Sequence, residues 1–169
     1  MVIFYLVLVI AFLFTCFGAL FDAVWIPTSK KDYDRIAKLA GFKPGLLFYD
    51  LGSGTGKMLF YFSKKYKVYC VGIEISPVLY LYSKIKSLFY ENVYIGYGNF
   101  YKHDLNGADV VYIFLLRNRY DKLNRYLIPK LHNHTKLVVS CWPLLNYKPA
   151  EISTEKQRVP IYLYKNFKK

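Results

Sequence analysis

A glycine-rich heptapeptide, DLGSGTG at residues 50–56, constrains the fold of this chain more than any other feature. The apolar run before it, residues 46–49, predicts a short buried strand, and residues 57–62 after it predict the start of a helix. Its three glycines allow a tight strand-to-helix turn and a close approach of the backbone to a ligand. Because the amides of the helix N-terminus point into the same space, the motif predicts a nucleotide-type pocket.

Two acidic residues indicate which kind of nucleotide this pocket suits. Asp50 closes the first strand, where a carboxylate suits a cationic amino group better than a pyrophosphate. A second apolar run, residues 68–73, ends in Glu74, which is placed to accept hydrogen bonds from ribose hydroxyls. The spacing differs from the GxGxxG of NAD-binding turns, and the loop lacks the GKS or GKT ending of a P-loop. The alternative is a tight turn in an α/β protein without a ligand.

The turn and the two acids together resemble the cofactor half of class I S-adenosylmethionine-dependent methyltransferases. That resemblance implies that the first acid serves the methionine end of S-adenosylmethionine and the second acid its ribose. It also implies a turn around the cofactor built from Gly52, Ser53, Gly54 and Gly56.

The first part of the chain is apolar. Residues 2–21 carry no charge, and the first charged side chain is Asp22. At about 1.5 Å per residue this run forms about 30 Å of helix, the thickness of the hydrocarbon core of a bilayer. We expect a transmembrane anchor over residues 1–24 and a methyltransferase domain over residues 25–169. A cleaved signal peptide would need a basic n-region and a small-x-small site, which the sequence lacks, and a buried core helix would have a polar face.

Charge indicates the orientation of the anchor and the kind of partner. Lys30, Lys31, Arg35 and Lys38 follow the apolar run, whereas no Lys or Arg precedes it, so we expect a single-pass membrane protein with a cytoplasmic catalytic domain. The net charge of +13 lies entirely after the run and favours an acidic partner, of which the anionic membrane surface is the nearest. The basic residues are scattered and no nucleic-acid-binding motif is present, which disfavours nucleic acid as a partner.

Strand-like and helix-like segments alternate along the rest of the chain. A capping-box-like start, Ser29 to Asp32, predicts a helix that buries Tyr33, Ile36, Ala37 and Ala40. The other predicted helices begin after Gly56, at Ser76-Pro77 with Val78, Tyr82, Ile85 and Phe89 at helical spacing, and over residues 119–128 before Pro129. Predicted strands cover residues 46–49, 68–73, 93–95, 109–114, 136–141, 150–153 and 161–164. This order implies a doubly wound, Rossmann-like α/β fold with a seven-stranded mixed sheet.

The methyl acceptor is expected at the carboxyl ends of the fourth and fifth strands, beside residues 115–118 and 142–143. These stretches carry almost no charge, so they would lower the pKa of a lysine ammonium and align its amine for transfer. His103, His132 and His134 are interpreted as solvated residues, which leaves the catalytic residues unknown and transfer resting on desolvation and alignment.

No metal or disulfide chemistry is indicated. The three histidines have no clustered acid or thiol partner, so they show no metal signature. Cys16, Cys70 and Cys141 form no CxxC pair and are interpreted as buried, reduced thiols.

A more specific resemblance covers nearly the whole chain. The segments WIPT, YDLGSGTGKM, VGIEISP, GNFYKHDLNGADVVYIFLL, LVVSCWPLLNYKP and IYLYK occur in an order that resembles one methyltransferase group. This is the family of short, membrane-anchored protein-lysine methyltransferases related to the mitochondrial ATP synthase c-subunit lysine methyltransferase and to small prokaryotic lysine methyltransferases. It implies S-adenosylmethionine as cofactor and a lysine of a protein as acceptor.

The family pattern also suggests roles for individual residues. Pro27-Thr28 corresponds to the family's Pro-Thr element, and Gly98-Asn99-Phe100 to the turn at which adenine lies. Asn99 stands where the family usually has an acid, and an amide carbonyl can still accept from the adenine amino group. Thr55 also departs from a common Asp.

Two other functions remain open at this stage. The anchor equally suits a methyltransferase for a small molecule or lipid at the membrane, and loss of turnover would leave a non-catalytic binding module. Residues 115–118, Leu-Leu-Arg-Asn, differ from the Asn-Pro-Pro-Tyr type of sequence of adenine-N6 and glutamine-N5 methyltransferases, which disfavours those substrates.

Overall fold

The computed structural model describes residues 1–2, 4–6, 9 and 26–167. Within residues 26–167 there are three regular helices: α1, Lys30–Ala40, α2, Lys57–Tyr66, and α3, Pro77–Ser87. Seven strands are β1, Leu47–Leu51, β2, Tyr69–Glu74, β3, Val93–Tyr97, β4, Val110–Ile113, β5, Lys136–Ser140, β6, Glu151–Ser153, and β7, Ile161–Tyr164.

All seven strands form one mixed sheet in the order β3-β2-β1-β4-β5-β7-β6. The first five strands run parallel to one another, and β7 is antiparallel to both β5 and β6. The predicted seven-stranded mixed sheet is therefore confirmed, with strand ends that differ from the predicted ones by up to two residues. Because β1, β2 and β3 are parallel neighbours, the segments that follow them meet at one edge of the sheet.

The sheet is covered on both faces, as a doubly wound fold requires. One face packs against α1 and α2 through apolar residues that include Ile36, Leu59 and Phe62. The other face packs against Leu123 and Leu127 from the segment between β4 and β5. All four residues of β4 are buried, which explains why this strand is a continuous apolar run in the sequence.

Helix α1 buries the face that its spacing predicted, but its start differs from the prediction. Gly41 ends the helix in a left-handed conformation with φ of 67°. Ser29 occupies the N-cap in extended backbone, yet its side chain makes no capping hydrogen bond. The carboxylate of Asp32 is bound by Arg35 at 2.7 Å and Arg158 at 2.9 Å, so a tertiary ion pair replaces the predicted capping box.

The regular helix predicted over residues 119–128 is wrong in its geometry. The segment forms a 3₁₀ turn at Arg117–Arg119, one α-turn at Tyr120–Lys122, a π-helix at Leu123–Leu127 and a 3₁₀ turn at Ile128–Lys130. Pro129 has no amide for an α-helical hydrogen bond and its ring crowds the carbonyl four residues earlier. The amide of Ile128 consequently bonds the carbonyl of Leu123, five residues back.

The predicted transmembrane segment, residues 2–21, lies mostly outside the described residues. Within the part of the chain that the structure describes, no helix combines the length and apolar character needed to cross a membrane. Cys16 also lies outside that part, whereas Cys70 is buried, Cys141 is partly buried, and both are free thiols.

Candidate cofactor and acceptor site

The glycine loop joins β1 directly to α2, as predicted. Gly52, Gly54 and Gly56 all have positive φ, of 88°, 56° and 69°. A Cβ atom on Gly56 would lie 2.9 Å from the ring of Phe60, so packing as well as backbone conformation demands glycine there. A Cβ atom on Gly52 would meet nothing within 4 Å, which leaves open space on the side where a cofactor would approach. Ser53 is buried beneath the loop, against Gly72 of β2.

Glu74 links the end of β2 to the glycine loop. Its Oε2 accepts a hydrogen bond of 2.6 Å from the amide of Gly54, and its Oε1 accepts one of 2.8 Å from the amide of Ser76. The side chain is buried, and each oxygen keeps one lone pair for a further donor. Glu74 therefore shapes the loop, and ribose hydroxyls would share its oxygens with these two amides.

Asp50 is a buried carboxylate at the end of β1. Burial first, and the charge of Glu74 second, raise its pKa from 3.8 to about 8. Over residues 26–167 the structure shows no hydrogen-bond donor to its side chain. A buried carboxylate of this kind is stabilised by a cation. The ammonium and sulfonium groups of S-adenosylmethionine are cations, so Asp50 and the open space at Gly52 fit this cofactor.

The predicted adenine turn, residues 98–100, follows β3 at the same edge of the sheet. The amide of Gly98 donates to the carbonyl of Glu74 at 2.9 Å, which holds the turn beside β2. Asn99 is exposed, and its Oδ1 already accepts from the amide of Tyr101 at 3.0 Å, because it caps the 3₁₀ turn Phe100–Lys102. Phe100 packs on Tyr101 with ring centroids 4.3 Å apart. The predicted adenine acceptor thus has a local structural role as well.

Sequence reasoning missed a chain of hydroxyl groups beside Asp50. The hydroxyl of Tyr112 lies 2.9 Å from Oγ1 of Thr28 and 2.9 Å from Oγ of Ser140. Tyr112 stands opposite Asp50 in the β1–β4 register, and burial raises its pKa. The tyrosine within the apolar run of β4 could have predicted this network, since the hydroxyl of a buried tyrosine requires a hydrogen-bond partner. These two hydrogen bonds connect the Pro-Thr element to the ends of β4 and β5.

The two predicted acceptor stretches lie side by side. The guanidinium carbon of Arg117 is 5.9 Å from the ring centroid of Trp142, so the loop after β4 contacts the loop after β5. Leu116 and Trp142 are exposed at this edge. They give the loops after β4 and β5 an apolar, aromatic edge, which we call the acceptor rim because the sequence predicts the methyl acceptor there.

The loop after β5 begins with a strained turn. Cys141 has φ of 79°, and the amide of Trp142 bonds the carbonyl of Ser140 at 3.1 Å, which defines a classic γ-turn. The hydroxyl of Tyr120 donates to the carbonyl of Trp142 at 2.8 Å, and the amide of Leu144 donates to the hydroxyl of Tyr164 at 2.8 Å. These bonds hold Trp142 at the acceptor rim despite the strain.

The three histidines lie apart from this rim. Nε2 of His132 is 2.8 Å from Oδ1 of Asn106, and the His132 and His134 rings stack at 5.5 Å. His103 and His132 line an open, polar cavity of about 300 Å³ together with Lys102 and Lys130. Within the described part of the chain, no group of three or more His, Cys, Asp or Glu side chains could hold a metal ion.

The fold and the site define a Rossmann-like class I S-adenosylmethionine-dependent methyltransferase. The chain matches the ANTKMT methyltransferase domain over residues 50–151, more than half of its length, and belongs to that family. This confirms the predicted methyltransferase activity and cofactor.

Individual relatives agree with this assignment. The chain is 29% identical over 132 residues to a protein-lysine N-methyltransferase of Saccharolobus islandicus, covering 76% of this chain and 82% of that protein. The structure of this chain is similar to that of an RNA methyltransferase from Salinibacter ruber in complex with S-adenosyl-L-homocysteine, with a TM-score of 0.77. The two sequences are 26% identical, and the match covers 82% of this chain and 92% of the Salinibacter chain. A methyltransferase structure from Thiobacillus denitrificans has a TM-score of 0.58 and 15% sequence identity. The match covers 79% of this chain and 54% of the Thiobacillus chain, and it shows the fold alone.

Proposed function

We propose that this protein transfers methyl groups from S-adenosylmethionine to lysine side chains of other proteins. The acceptor rim carries the proposal: residues 114–118 and 141–145 contain neither an acid nor a histidine and expose Leu116 and Trp142 after β4, which pairs with β1, and after β5. The protein-lysine methyltransferase among the relatives supports the same acceptor.

The proposed site residues divide into two groups. The cofactor is held by the loop, the two acids and the adenine turn, that is by Asp50, Gly52, Ser53, Gly54, Gly56, Glu74, Asn99 and Phe100. When bound, S-adenosylmethionine supplies an electrophilic methyl group. The acceptor rim orients the lysine and excludes water around its amine.

The chain's contribution to the chemistry is desolvation and alignment. An apolar rim disfavours the ammonium form of lysine and so lowers its pKa, which raises the fraction of free amine at neutral pH. The lysine proton leaves to water before the amine is enclosed by the rim, because the rim segments contain no acid or histidine to receive it. The ring of Trp142 offers a face on which a methylated ammonium would rest by cation–π attraction.

We also propose that residues 2–21 anchor the protein in a membrane and that residues 25–169 form a catalytic domain on the cytoplasmic side. The support lies in the sequence: twenty uncharged residues, followed by lysines and an arginine on the C-terminal side alone. An anchored enzyme would meet lysines of membrane proteins or of proteins bound at the membrane surface.

RNA is the second candidate acceptor. The similar Salinibacter ruber structure is of an RNA methyltransferase, and a net charge of +13 suits a polyanion. The described basic residues nevertheless form ion pairs at several positions, such as Lys65 with Asp34.

Transfer of radiolabel from S-adenosylmethionine distinguishes these acceptors. Membranes and cytosol of the source cell are incubated separately with the wild type and with Asp50→Asn, which keeps the side-chain shape, and thermal unfolding verifies that the variant is folded. Label on a protein band with the wild type alone, placed on lysine by mass spectrometry, supports the proposal. Label removed by ribonuclease, or extracted with lipid or small molecules, would replace lysine with that acceptor. Cofactor binding without any transfer would indicate a non-catalytic module.

A further inference from the structure

Helix α3 packs on the rest of the domain through the side that carries small polar residues. Its buried residues are Ser83 and Ser87. Each hydroxyl donates to a carbonyl three residues earlier in the same helix, at 3.0 Å for Ser83 and 2.8 Å for Ser87. The serines therefore need no partner from the sheet and present little bulk, which lets the helix lie close to the glycine loop and β3.

The large apolar side chains of α3 consequently point outward. Four of them, with the two residues that follow the helix, form what we call the outer face: Val78, Leu81, Tyr82, Ile85, Leu88 and Phe89, each between 50% and 83% exposed. In most surface helices an apolar face of this spacing packs on the core. A contiguous exposed apolar face on a folded domain marks an interaction surface.

The charge around the outer face is mainly positive. Residues 75–90 contain two lysines and no acid, and the exposed Glu91 follows Phe89 by two residues. Nζ of Lys84 lies 4.8 Å from the ring centroid of Tyr94, and Nζ of Lys86 lies 5.0 Å from that of Phe60, so a cation flanks the helix toward β3 and another toward α2. Tyr94 is itself exposed on the edge strand. The surface is therefore an apolar stripe between lysines.

We propose that the outer face of α3 docks on an anionic phospholipid bilayer, with its apolar side chains in the interface and its lysines at the headgroups. Tyrosine, leucine and phenylalanine flanked by lysine are the composition of interfacial helices. Each lysine near an anionic surface strengthens binding about fivefold. Two copies joined through this face would bring four lysines and two charges of +13 together, and the uncharged residues 2–21 would leave the lysines unpaired.

Docking through α3 would place the bilayer beside the cofactor site. The helix begins at Pro77, three residues after Glu74, so its first turn adjoins the pocket. The docking itself needs no methyl transfer. Only one consequence rests on the proposed function: the acceptor lysine would lie close to the membrane surface.

Contact quenching by brominated lipids tests this placement residue by residue. Leu81→Trp and Ile85→Trp each add a reporter to the outer face of the full chain, and Tyr126→Trp is the matched control. Tyr126 is similarly exposed but belongs to the segment that packs on the opposite face of the sheet. Each protein is mixed with vesicles of phosphatidylcholine and phosphatidylserine, with or without bromine on the phosphatidylcholine chains, and the wild-type signal is subtracted.

We expect about half of the added emission at positions 81 and 85 to be lost, because interfacial helices lie about 5–10 Å deep, and none at position 126. Equal quenching at all three positions, or equal quenching in vesicles of phosphatidylcholine alone, would overturn the proposal. Absence of quenching at 81 and 85 would overturn it as well. In that case sedimentation of Leu81→Glu/Ile85→Glu against the wild type shows whether a second copy covers the face.

Discussion

The carboxylate of Glu74 closes the loop that contains Gly54, through a hydrogen bond of 2.6 Å from the Gly54 amide. An acid at the end of β2 thus shapes the turn that follows β1, before any ribose is bound. Because both oxygens of Glu74 accept from backbone amides, we expect this one side chain to couple the loop conformation to cofactor affinity.

Glu74→Ala is expected to weaken binding of S-adenosylhomocysteine at least tenfold. It should also lower the free energy of unfolding by about 3–6 kcal/mol, since two hydrogen bonds to a charged group are lost and each contributes about 1.5–3 kcal/mol. Titration calorimetry and urea unfolding measure the two effects. Glu151→Ala, at an exposed position in β6, is the control and should change neither. Unaltered affinity in Glu74→Ala would show that the loop holds its shape without this carboxylate.

Asp50 makes stability depend on pH in a specific direction. Its pKa is raised to about 8 in the folded protein from an ordinary value of 3.8, so its contribution to stability is fully present below about pH 4 and is lost progressively as the pH rises through about 8. Without cofactor, stability should fall by up to about 1.4 kcal/mol per pH unit between these values. Urea unfolding of wild type and Asp50→Asn from pH 5 to pH 8.5 isolates this contribution as the difference between the two slopes.

Deprotonation of Asp50 should strengthen cofactor binding, whereas it weakens the stability of the free protein. The carboxylate form attracts the cationic cofactor, so the affinity for S-adenosylmethionine should rise with pH up to about 8. Asp50→Asn should bind more weakly and lose this rise. Parallel pH profiles of the two proteins would contradict the assignment of Asp50 to the methionine end.

Tyr112→Phe tests the hydroxyl chain. Removal of one hydroxyl leaves Thr28 and the buried Ser140 without their shared partner, which should cost about 1–3 kcal/mol of stability. Hydrogen exchange of residues 26–30 should also accelerate, because this segment loses its bond to β4. Tyr126→Phe removes an exposed hydroxyl and is the control. Equal exchange in Tyr112→Phe and wild type would mean that α1 alone holds the segment.

Cys141→Gly tests the strain in the γ-turn before Trp142. Glycine adopts a φ of 79° without steric cost, so the variant should be more stable than Cys141→Ala by about 1 kcal/mol. Cys141→Val should be the least stable of the three, because a β-branched residue tolerates positive φ worst. Thermal unfolding of the three variants measures this order, and equal melting temperatures would show that the turn relaxes at little cost.

Much of the fold was predictable because it depends on local patterns. Buried parallel strands are apolar runs, and Gly41 and the glycines of residues 50–56 mark turns that other residues cannot form. The irregular segment before β5 was not predictable in detail, because Pro129 perturbs a hydrogen-bonding ladder whose final geometry depends on packing against the sheet. Asp32 likewise forms an ion pair with Arg158, which is 126 residues away in the sequence, instead of a local helix cap.

The sequence by itself determined the order of strands and helices along the chain, the glycine turn and the two acids beside it, since each depends on the pattern of residues adjacent in the sequence. Only the tertiary structure decided that Asp50 is buried with no hydrogen-bond donor among residues 26–167, that Tyr112 joins Thr28 to Ser140, and that α3 turns its apolar side outward. Periodicity predicts that a helix has an apolar face, but which way that face points depends on which side fits the sheet, and two serines fit closely where larger residues would not.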